Sequence, residues 1–530
     1  MNQETNPKAE SAAPASHDAP VSAAQLAEHG RRLAAAHRLA KGNALPGLRT
    51  LLAEQTGSFD LALGALTHAS EAARHGGAEL APAAAAILEH APLIDAHLRQ
   101  ARGQLLHDEG VLPALAPDSA ARILVLAQAA VGQGGGRIER AALVGFLTAY
   151  QESTPLLLAE LRLLPAALRV ALLGSLRDVA VHCERAGRER LLAAEWAGRM
   201  IDTAQQRSGD LILLVADMAR AVQPLGSSFV AELARRLHGQ GAALGQALAW
   251  IEARLADVGS SIARMADEER GMLAADGAIA ANCLASLRLV GATDWRALLE
   301  EISPVEALLR ADSDASYARM DGLSRDGYRL AVERLARATR RLEAEVAQEA
   351  LALAGVNRAP AEGGLDLRRR HIGYYLAGPG QEALEARLQP QPGLAARLHR
   401  RVRRTPLALR IGAMALFTLL FAAAIVVCAR KEGAGLALQG LIGLLALLGG
   451  SQLARALLDM MAAWMRPSLA PQASMPRMEF GDGIPGEAQA LVAVSARLKT
   501  LQQAEALCRD LEVRYLANRD PRLRFCLLAT

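Results

Sequence analysis

The apolar positions of this chain recur at helical spacing through most of its first two thirds. Phe229, Leu233 and Leu237 share one helical face. A second stripe lies among many Arg and Glu residues, which indicates a buried face and a charged outer face; its apolar members are Val332, Leu335, Leu342, Val346 and Leu353. Gly and Pro turns interrupt the pattern, and no part of it alternates with the two-residue period of a strand. Residues 23–353 are therefore predicted to form a mostly α region, a helical bundle or stacked helical hairpins.

Two long uncharged runs follow this region. They cover residues 411–429 and 433–454, and a short charged turn separates them. Each run is long enough to cross a hydrocarbon core of about 30 Å at about 1.5 Å per residue. A pair of helices buried in a large soluble core is the alternative, but soluble helices rarely extend so far without a charge. We therefore predict two transmembrane helices within residues 406–458.

The charges that flank these runs predict an orientation. Arg455 and Arg466 follow the second run, and five arginines precede the first, namely Arg400, Arg401, Arg403, Arg404 and Arg410. Positive residues favour the cytoplasmic side, although Arg430 and Lys431 in the connecting turn count against this assignment. Both ends, including the helical region 23–353, are expected in the cytoplasm. The chain is then a multi-pass protein of the bacterial inner membrane, with the lipid bilayer as a partner.

An N-terminal tail and two linkers complete the predicted organisation. Residues 1–22 lack a basic start followed by an apolar core, so they are expected to be a disordered tail and not a signal peptide. Repeated Gly and Pro residues predict that 354–405 is a linker with short helices and a juxtamembrane segment. A second, Pro-rich linker is predicted at 459–489.

The pattern changes after the second linker. Residues 490–494 and 523–528 are strand candidates, and residues 502–511 between them have a helical pattern. This order is that of a β-α-β unit. A parallel sheet needs further strands and covering helices, so residues 490–530 are expected to be the start of a truncated α/β domain.

Charge and cysteine usage exclude several classes of function. Lys and Arg number 59 and Asp and Glu number 55, the two signs are interspersed, and aromatic residues make up only 3%. A nucleic-acid-binding protein would show a concentrated basic face with aromatic stacking residues, so no nucleic-acid partner is expected. The five cysteines are far apart, which excludes a CxxC redox or zinc motif.

Two short motifs have both a chemical and a structural interpretation. The run GQGGGR at 132–137 contains glycines, as phosphate-binding loops do, but it follows a helical stretch where a nucleotide-binding fingerprint needs a strand. Asp312 and Asp314 have the Asp-x-Asp form with which sugar-nucleotide transferases hold a divalent cation, yet helix capping explains them equally well. An interhelical turn and a helix cap are the favoured interpretations.

Two further motifs have equally plain explanations. His182, Cys183 and Glu184 match the start of a zinc-deaminase signature, but its Pro-Cys-x-x-Cys part is missing, so a helix surface is favoured. The basic run at 368–371 suits either anionic lipid headgroups or solvent. No catalytic residue and no metal ligand is assigned from the sequence, and the cofactor-binding residues are unknown.

Several short sequence segments, called words below, resemble corresponding segments of bacterial cyclic β-1,2-glucan synthases. They occur in family order along nearly the whole chain and lie on both sides of the apolar runs. The words are YQESTP (150–155), SLRL (286–289), DWR (294–296), ISPVE (302–306), YARMD (317–321), Tyr328-Arg329, Val332-Glu333, RRHIGYYL (369–376), Gly380, Leu384-Glu385, FGDGIP (480–485) and LEVRYLANRDP (511–521).

The resemblance implies a processive inner-membrane glucosyltransferase. Such an enzyme builds a β-1,2-linked glucan from UDP-glucose on the cytoplasmic side, closes it into a ring and delivers it toward the periplasm. Family members are far longer, and continue through the rest of the transferase domain, more membrane helices and a phosphorylase-like domain. UDP-glucose and a divalent metal are thus expected for the full-length family, with no cofactor in this chain. The remaining parts of a glucan synthase are expected partners.

Beside its two strand candidates, the chain departs from the family pattern. The family's Val-Pro-Thr is VSA at 494–496 here, and its Leu-Thr-Asp is LAT at 528–530. The resemblance therefore implies the N-terminal portion of a glucan synthase, truncated at the start of the transferase domain and inactive alone. A non-catalytic helical scaffold or interaction protein, tethered to the membrane, is the alternative hypothesis.

Overall fold

The computed structural model describes a defined set of segments, which are 22–40, 42–76, 80–108, 110–312, 316–356, 369–388, 407–433, 435–464, 476–481, 483–496 and 500–529. Residues 1–21 of the predicted tail lie outside them, as do Asp314, Arg368 and the arginines at 400–404. The described residues are mostly helical, as predicted. The chain divides into two compact units, Met1–Pro304 and Val305–Thr530, so the boundary falls inside the region that the sequence presents as one.

The first unit is built mainly from helices, some of which have a side-chain N-cap. Ser22, Ser261 and Asp294 each accept a hydrogen bond from a backbone N–H of the first turn that follows them. The helices are α1 (Ala23–Ala36), α2 (Leu45–Gly76), α3 (Pro82–Glu89), α4 (Ala91–His107), α5 (Arg122–Gln133), α6 (Arg140–Gln151), α7 (Leu158–Gln206), α8 (Leu211–Ala221), α9 (Ser227–Leu237), α10 (Ala242–Ala256), α11 (Ile262–Ala292) and α12 (Trp295–Ile302).

Helix α7 is the central element of this unit. It is 49 residues long and contacts α2, α4, α5, α9 and α11. Its first half, which includes Leu172, packs into one hydrophobic core, and its second half, which includes Met200, packs with α8, α9 and α10 in another. Phe229, Leu233 and Leu237 are all buried in the second core, which confirms the predicted helical face.

The first unit also contains a small antiparallel sheet. Its strands are β1 (Leu39–Ala40), β2 (Ala114–Leu115) and β3 (Ala120–Ala121), in the order β1-β2-β3. These strands lie in the region 23–353, where the sequence shows no two-residue alternation and predicts a mostly α structure. Two residues are too few to show an alternating pattern, so these strands leave no periodic signal in the sequence.

The second unit combines short helices, two long apolar helices and a β-α-β segment. Its elements are α13 (Pro304–Arg310), which starts at the boundary, α14 (Gly322–Thr339), α15 (Glu343–Val356), α16 (Ile372–Leu376), α17 (Gln381–Leu388), α18 (Leu407–Lys431), α19 (Leu436–Trp464), β4 (Ala490–Ala496), α20 (Leu501–Ala517) and β5 (Leu523–Ala529).

The second apolar stripe predicted from the sequence, from Val332 to Leu353, is not one helix but is divided between α14 and α15. Arg340 has a positive φ of 57° and terminates α14. Val332, Leu335 and Val346 are buried as predicted, but Leu342 lies in the turn and its side chain is 53% exposed. The prediction that Leu342 shares the buried face is therefore wrong.

Within the described segments, three helices are long and apolar enough to cross a membrane by length and composition, whereas the sequence predicts two spans. They are α11, α18 and α19. In α11, 33% of the most apolar stretch is buried inside the protein, against 11% in each of α18 and α19. Among the described residues, α18 and α19 therefore leave far more apolar surface uncovered.

The C-terminal segment has the predicted β-α-β order. Strands β4 and β5 pair in parallel, with Ala490 opposite Leu523 and Ala496 opposite Ala529, and α20 connects them. Two strands are a small sheet, and Leu491 and Leu528 remain largely exposed on it.

Candidate functional site

Helices α18 and α19 pack against each other through glycines. A Cβ atom added at Gly450 would lie 2.9 Å from Cδ1 of Phe421, and one added at Gly443 would lie 3.1 Å from Cγ2 of Val426. Small residues that allow close approach are typical of helix contacts within membranes. On the other faces leucines such as Leu420, whose side chain is 62% exposed, point away from the pair. The pair has the construction of a membrane hairpin.

A buried polar network, which we call the Glu306 network, lies in the second unit outside the hairpin. Glu306 on α13 accepts hydrogen bonds at Oε2 from the hydroxyl of Tyr317 at 2.7 Å and from Nε of Arg329 at 2.9 Å. Nε of Arg310 donates to Oε1 at 2.8 Å. Arg329 in turn donates to Asp326 at 2.6 Å. The contacts of Glu306 link α13 to its own last turn, to the 3₁₀ turn at Tyr317–Arg319 and to α14, whereas the contact of Arg329 with Asp326 lies within α14.

The ionisation state of Glu306 follows from these contacts. Burial alone would raise the pKa of the Glu306 carboxyl, but the charge of Arg329 and the hydrogen bonds from Arg310, Arg329 and Tyr317 outweigh it and hold the pKa below its usual value. Burial, together with the carboxylate of Glu306, raises the pKa of Tyr317. Glu306 is thus ionised and fully engaged, which suits a structural role and not proton transfer.

Asp312 from the predicted Asp-x-Asp pair is also a structural residue. Its Oδ2 accepts the backbone N–H of Ile372 at 3.3 Å and lies 3.9 Å from Nε2 of His371. Nδ1 of His371 accepts a hydrogen bond from the backbone N–H of Gly373 at 3.0 Å, and His371 thereby caps α16. Asp314, the second residue of the Asp-x-Asp pair, lies outside the described residues. Within the described segments no group of three or more His, Cys, Asp or Glu residues could hold a metal ion.

The chain that follows the hairpin returns to the helices that precede it. The N–H of Asp321 donates to the carbonyl of Arg477 at 2.9 Å, and the N–H of Glu479 donates to the carbonyl of Arg319 at 2.8 Å. Met320 and Met478 form an antiparallel bridge between these bonds. We call this contact the return bridge. It fixes the chain that leads into the β-α-β segment to the chain that leads into the hairpin.

Two other sequence motifs lie in the first unit and have structural roles. The glycine run at 132–137 begins in the last turn of α5 and continues into the connection to α6, where Ser286 of α11 donates to the carbonyl of Gly136 at 2.8 Å. Cys183 lies on α7, where burial and then Asp276 raise the pKa of its thiol to about 11. A thiol of that pKa is protonated near neutral pH and is a poor nucleophile.

The carboxyl ends of β4 and β5 are where an α/β domain would bind its ligand. The described residues at these ends are Ser495, Ala496 and Ala529, and none of them carries a carboxylate. Asp520 lies at the opposite end of β5, where its carboxylate accepts the N–H groups of Ile484 and Arg522, each at 2.8 Å. These backbone hydrogen bonds hold the pKa of Asp520 below its usual value. Asp520 therefore organises a turn.

Glu269 is a buried carboxylate that the sequence does not reveal. Glu269 on α11 is 6% exposed and lines a cavity in the first unit. In the sequence it stands in a run of charged residues at 264–270, which is typical of a solvated helix turn. No local pattern separates it from its exposed neighbour Glu268.

The sequence has a measurable likeness to a known protein. Over 462 residues the chain is 31% identical to the cyclic beta-(1,2)-glucan synthase NdvB of Rhizobium meliloti (strain 1021). The aligned part covers 86% of this chain but only 16% of that protein. No protein-family model matches the chain. The chain is thus a relative of that synthase, as the resemblance of its sequence words indicates.

Proposed function

We propose that this relative of a cyclic β-(1,2)-glucan synthase is the membrane-anchored part of an enzyme that polymerises glucose from UDP-glucose into cyclic glucan. The observation that carries the proposal is the identity over 86% of the chain. The hairpin of α18 and α19 supports it, because a synthase that delivers its product across a membrane must be held there. The proposal gives the chain the anchoring role and no catalytic residue.

We assign the spanning role to α18 and α19 only. Helix α11 carries charged side chains through residues 264–270, and its apolar half, including Cys283 and Leu287, packs into the first hydrophobic core. A helix that already buries its apolar face within the protein has little apolar surface left to contact lipid. The uncovered leucines of the hairpin have no such cover among the described residues.

The proposed location is the inner membrane, with both ends in the cytoplasm. The arginines before the first span and Arg455 and Arg466 after the second support this orientation under the positive-inside rule. The return bridge agrees with it, since Arg319–Asp321 and Arg477–Glu479 flank the hairpin on either side in sequence and pair directly. Chain segments that pair in this way must lie on one side of the membrane.

The test is a deletion of the coding sequence in its own bacterium, followed by measurement of periplasmic cyclic glucan by mass spectrometry. We expect cyclic β-1,2-glucan to disappear and to return with the intact chain. A variant that lacks residues 407–464 should not restore it, because the anchor is missing. Unchanged cyclic glucan in the deletion strain would contradict the proposal.

A non-catalytic scaffold is the second candidate, and the absence of carboxylates at the described carboxyl ends of β4 and β5 favours it. The two candidates differ in the membranes of the deletion strain. If the chain is part of the enzyme, these membranes should not transfer labelled glucose from UDP-glucose into β-1,2-glucan. If it is a scaffold, transfer should persist.

A further inference from the structure

The return bridge is reinforced by two side-chain contacts between the chain after the hairpin and the chain before it. The N–H of Arg477 donates to Oγ of Ser324 at 2.8 Å, in the first turn of α14. Nη1 of Arg319 lies 3.6 Å from Oε1 of Glu487. The turn that contains Arg319 is itself fixed by the Glu306 network, because its first residue, Tyr317, donates to the carboxylate of that network. The segment after the hairpin is therefore bound both to the start of α14 and to the turn before it.

Asp520 extends this linkage to the small parallel sheet. Its carboxylate accepts the N–H of Ile484, which follows the return bridge, and the N–H of Arg522, which precedes β5. Nη1 of Arg522 donates back to the carbonyl of Ile484 at 2.6 Å. Ala490, the first residue of β4, donates its N–H to the carbonyl of Arg522 at 3.1 Å. The return bridge and the turn at Asp520 therefore tie the amino ends of both strands to the start of α14.

The anchored ends of the strands are the ends that do not bind ligands in an α/β domain. Ligands of such domains bind outside the carboxyl ends of the strands. Strand β4 is seven residues long, so its carboxyl end lies about 20 Å from the anchored end at about 3.3 Å per residue. Anchoring at the amino ends fixes the direction of the strands, and these contacts leave the carboxyl ends uncovered.

We propose that the return bridge and Asp520 position the β-α-β segment for glucosyl transfer. They hold the amino ends of β4 and β5 against α14, so that the carboxyl ends are presented in a fixed direction to a nucleotide sugar. Ser324 and Asp520 are then positioning residues and not catalytic ones, since neither lies at the carboxyl ends. The positioning role rests on the proposed function, whereas the geometry of the anchor does not.

A disulfide cross-link tests the geometry in the purified full chain in detergent. Met320 and Met478 lie between the two backbone hydrogen bonds of the return bridge. The Cα atoms of a pair so placed in an antiparallel ladder are about 4.5 Å apart, which a disulfide can span. Met320→Cys with Met478→Cys should therefore link on oxidation, and peptide mass spectrometry identifies the bond.

The control for this cross-link is Leu342→Cys with Met478→Cys. Leu342 follows the opposite end of α14, which is 18 residues or about 27 Å long, so this pair should not link. No cross-link between positions 320 and 478, or equal cross-linking in both pairs, would overturn the proposed anchor.

Two pairs of variants test the role in transfer, in membranes of the deletion strain that carry each variant chain at equal abundance. Glu479→Pro removes the N–H that donates to the carbonyl of Arg319, whereas Glu479→Ala keeps it and changes only an exposed side chain. Asp520→Ala removes the acceptor of two N–H groups, and Asp510→Ala, exposed on α20, is its control. We expect Glu479→Pro and Asp520→Ala to lower the transfer of labelled glucose from UDP-glucose about tenfold or more, because small displacements of reacting groups slow a reaction strongly. The two controls should leave it unchanged.

A covalent rescue separates positioning from folding. When Met320→Cys and Met478→Cys are added to Glu479→Pro, oxidation of the membranes should restore most of the transfer, and a thiol reductant should abolish it again. The intact chain is the control for both reagents. Transfer by Glu479→Pro equal to that by Glu479→Ala, or no recovery on oxidation, would overturn the positioning role while the proposed function stands. If the intact chain itself restores no transfer, the proposed function fails and the positioning role falls with it.

Discussion

Nε of Arg329 lies 2.9 Å from Oε2 of Glu306, and both side chains are buried. Tyr317 donates to the same carboxylate oxygen. These three residues come from three separate words by which the chain resembles glucan synthases. One buried network therefore accounts for all three words, and its role is to hold α13, the turn at Tyr317 and α14 together.

Replacing Arg329 with Met should destabilise the second unit. The ionised carboxylate of Glu306 would remain buried without its main cation, which typically costs about 3–5 kcal/mol in the free energy of unfolding. Chemical denaturation in detergent, followed by circular dichroism, measures the loss. Arg387→Met is the control, because the exposed pair of Arg387 with Glu349 at 3.5 Å should be worth less than about 1 kcal/mol.

A double variant separates the lost charge from general damage at this site. Adding Glu306→Gln to Arg329→Met removes the uncompensated charge and should recover part of the lost stability. If Arg329→Met costs no more than Arg387→Met, or if the double variant is the least stable of all, the network does not hold the unit as inferred.

The hairpin contact at Gly450 should tolerate no large side chain. Gly450→Leu would force its side chain against Phe421 and separate the helices, at a cost of about 1–3 kcal/mol. Gly449→Leu is a matched control, since an added Cβ at Gly449 meets nothing within 4 Å. Thermal unfolding in detergent should show a lower midpoint for Gly450→Leu only. Equal midpoints would mean that α18 and α19 do not pack through this face.

The proposed topology can be read from cysteine labelling in intact cells. Lys431→Cys in the turn between the spans should react with a membrane-impermeant maleimide, whereas the native Cys508, which is exposed on α20, should react only after the cells are opened. Ala386→Cys on α17, also exposed, is the reporter on the other side of the hairpin. Peptide mass spectrometry identifies the labelled sites. Labelling of Cys508 or position 386 in intact cells, with position 431 unlabelled, would reverse the orientation.

Purified alone, the chain should not turn over UDP-glucose. Transfer of this kind requires a metal-held diphosphate and a placed base, and the described carboxyl ends of β4 and β5 carry neither. With UDP-glucose and magnesium, UDP release should equal that of a blank. Protein-dependent turnover that disappears in a variant with Asp312→Asn and Asp314→Asn would place the active site in that loop and refute the expectation.

Features that depend on local composition can be predicted from the sequence without knowledge of the fold. Length and the absence of charge in residues 411–429 and 433–454 predict two long helices, which the structure has as Leu407–Lys431 and Leu436–Trp464. Both properties belong to the segment alone. The alternation of strand, helix and strand at residues 490–529 is local in the same sense. The helical face of Phe229, Leu233 and Leu237 also follows from spacing, whichever neighbour covers it.

The pairing of distant polar residues depends on the tertiary fold. Arg329 reaches Glu306 across 23 positions, and Arg477 reaches Ser324 across 153, so no local pattern reports either contact. Glu268 and Glu269 are adjacent and identical in the sequence, yet only Glu269 turns toward α9 and the cavity. Periodicity in the sequence indicates which positions avoid water, whereas the partner of a buried charge depends on how distant helices pack.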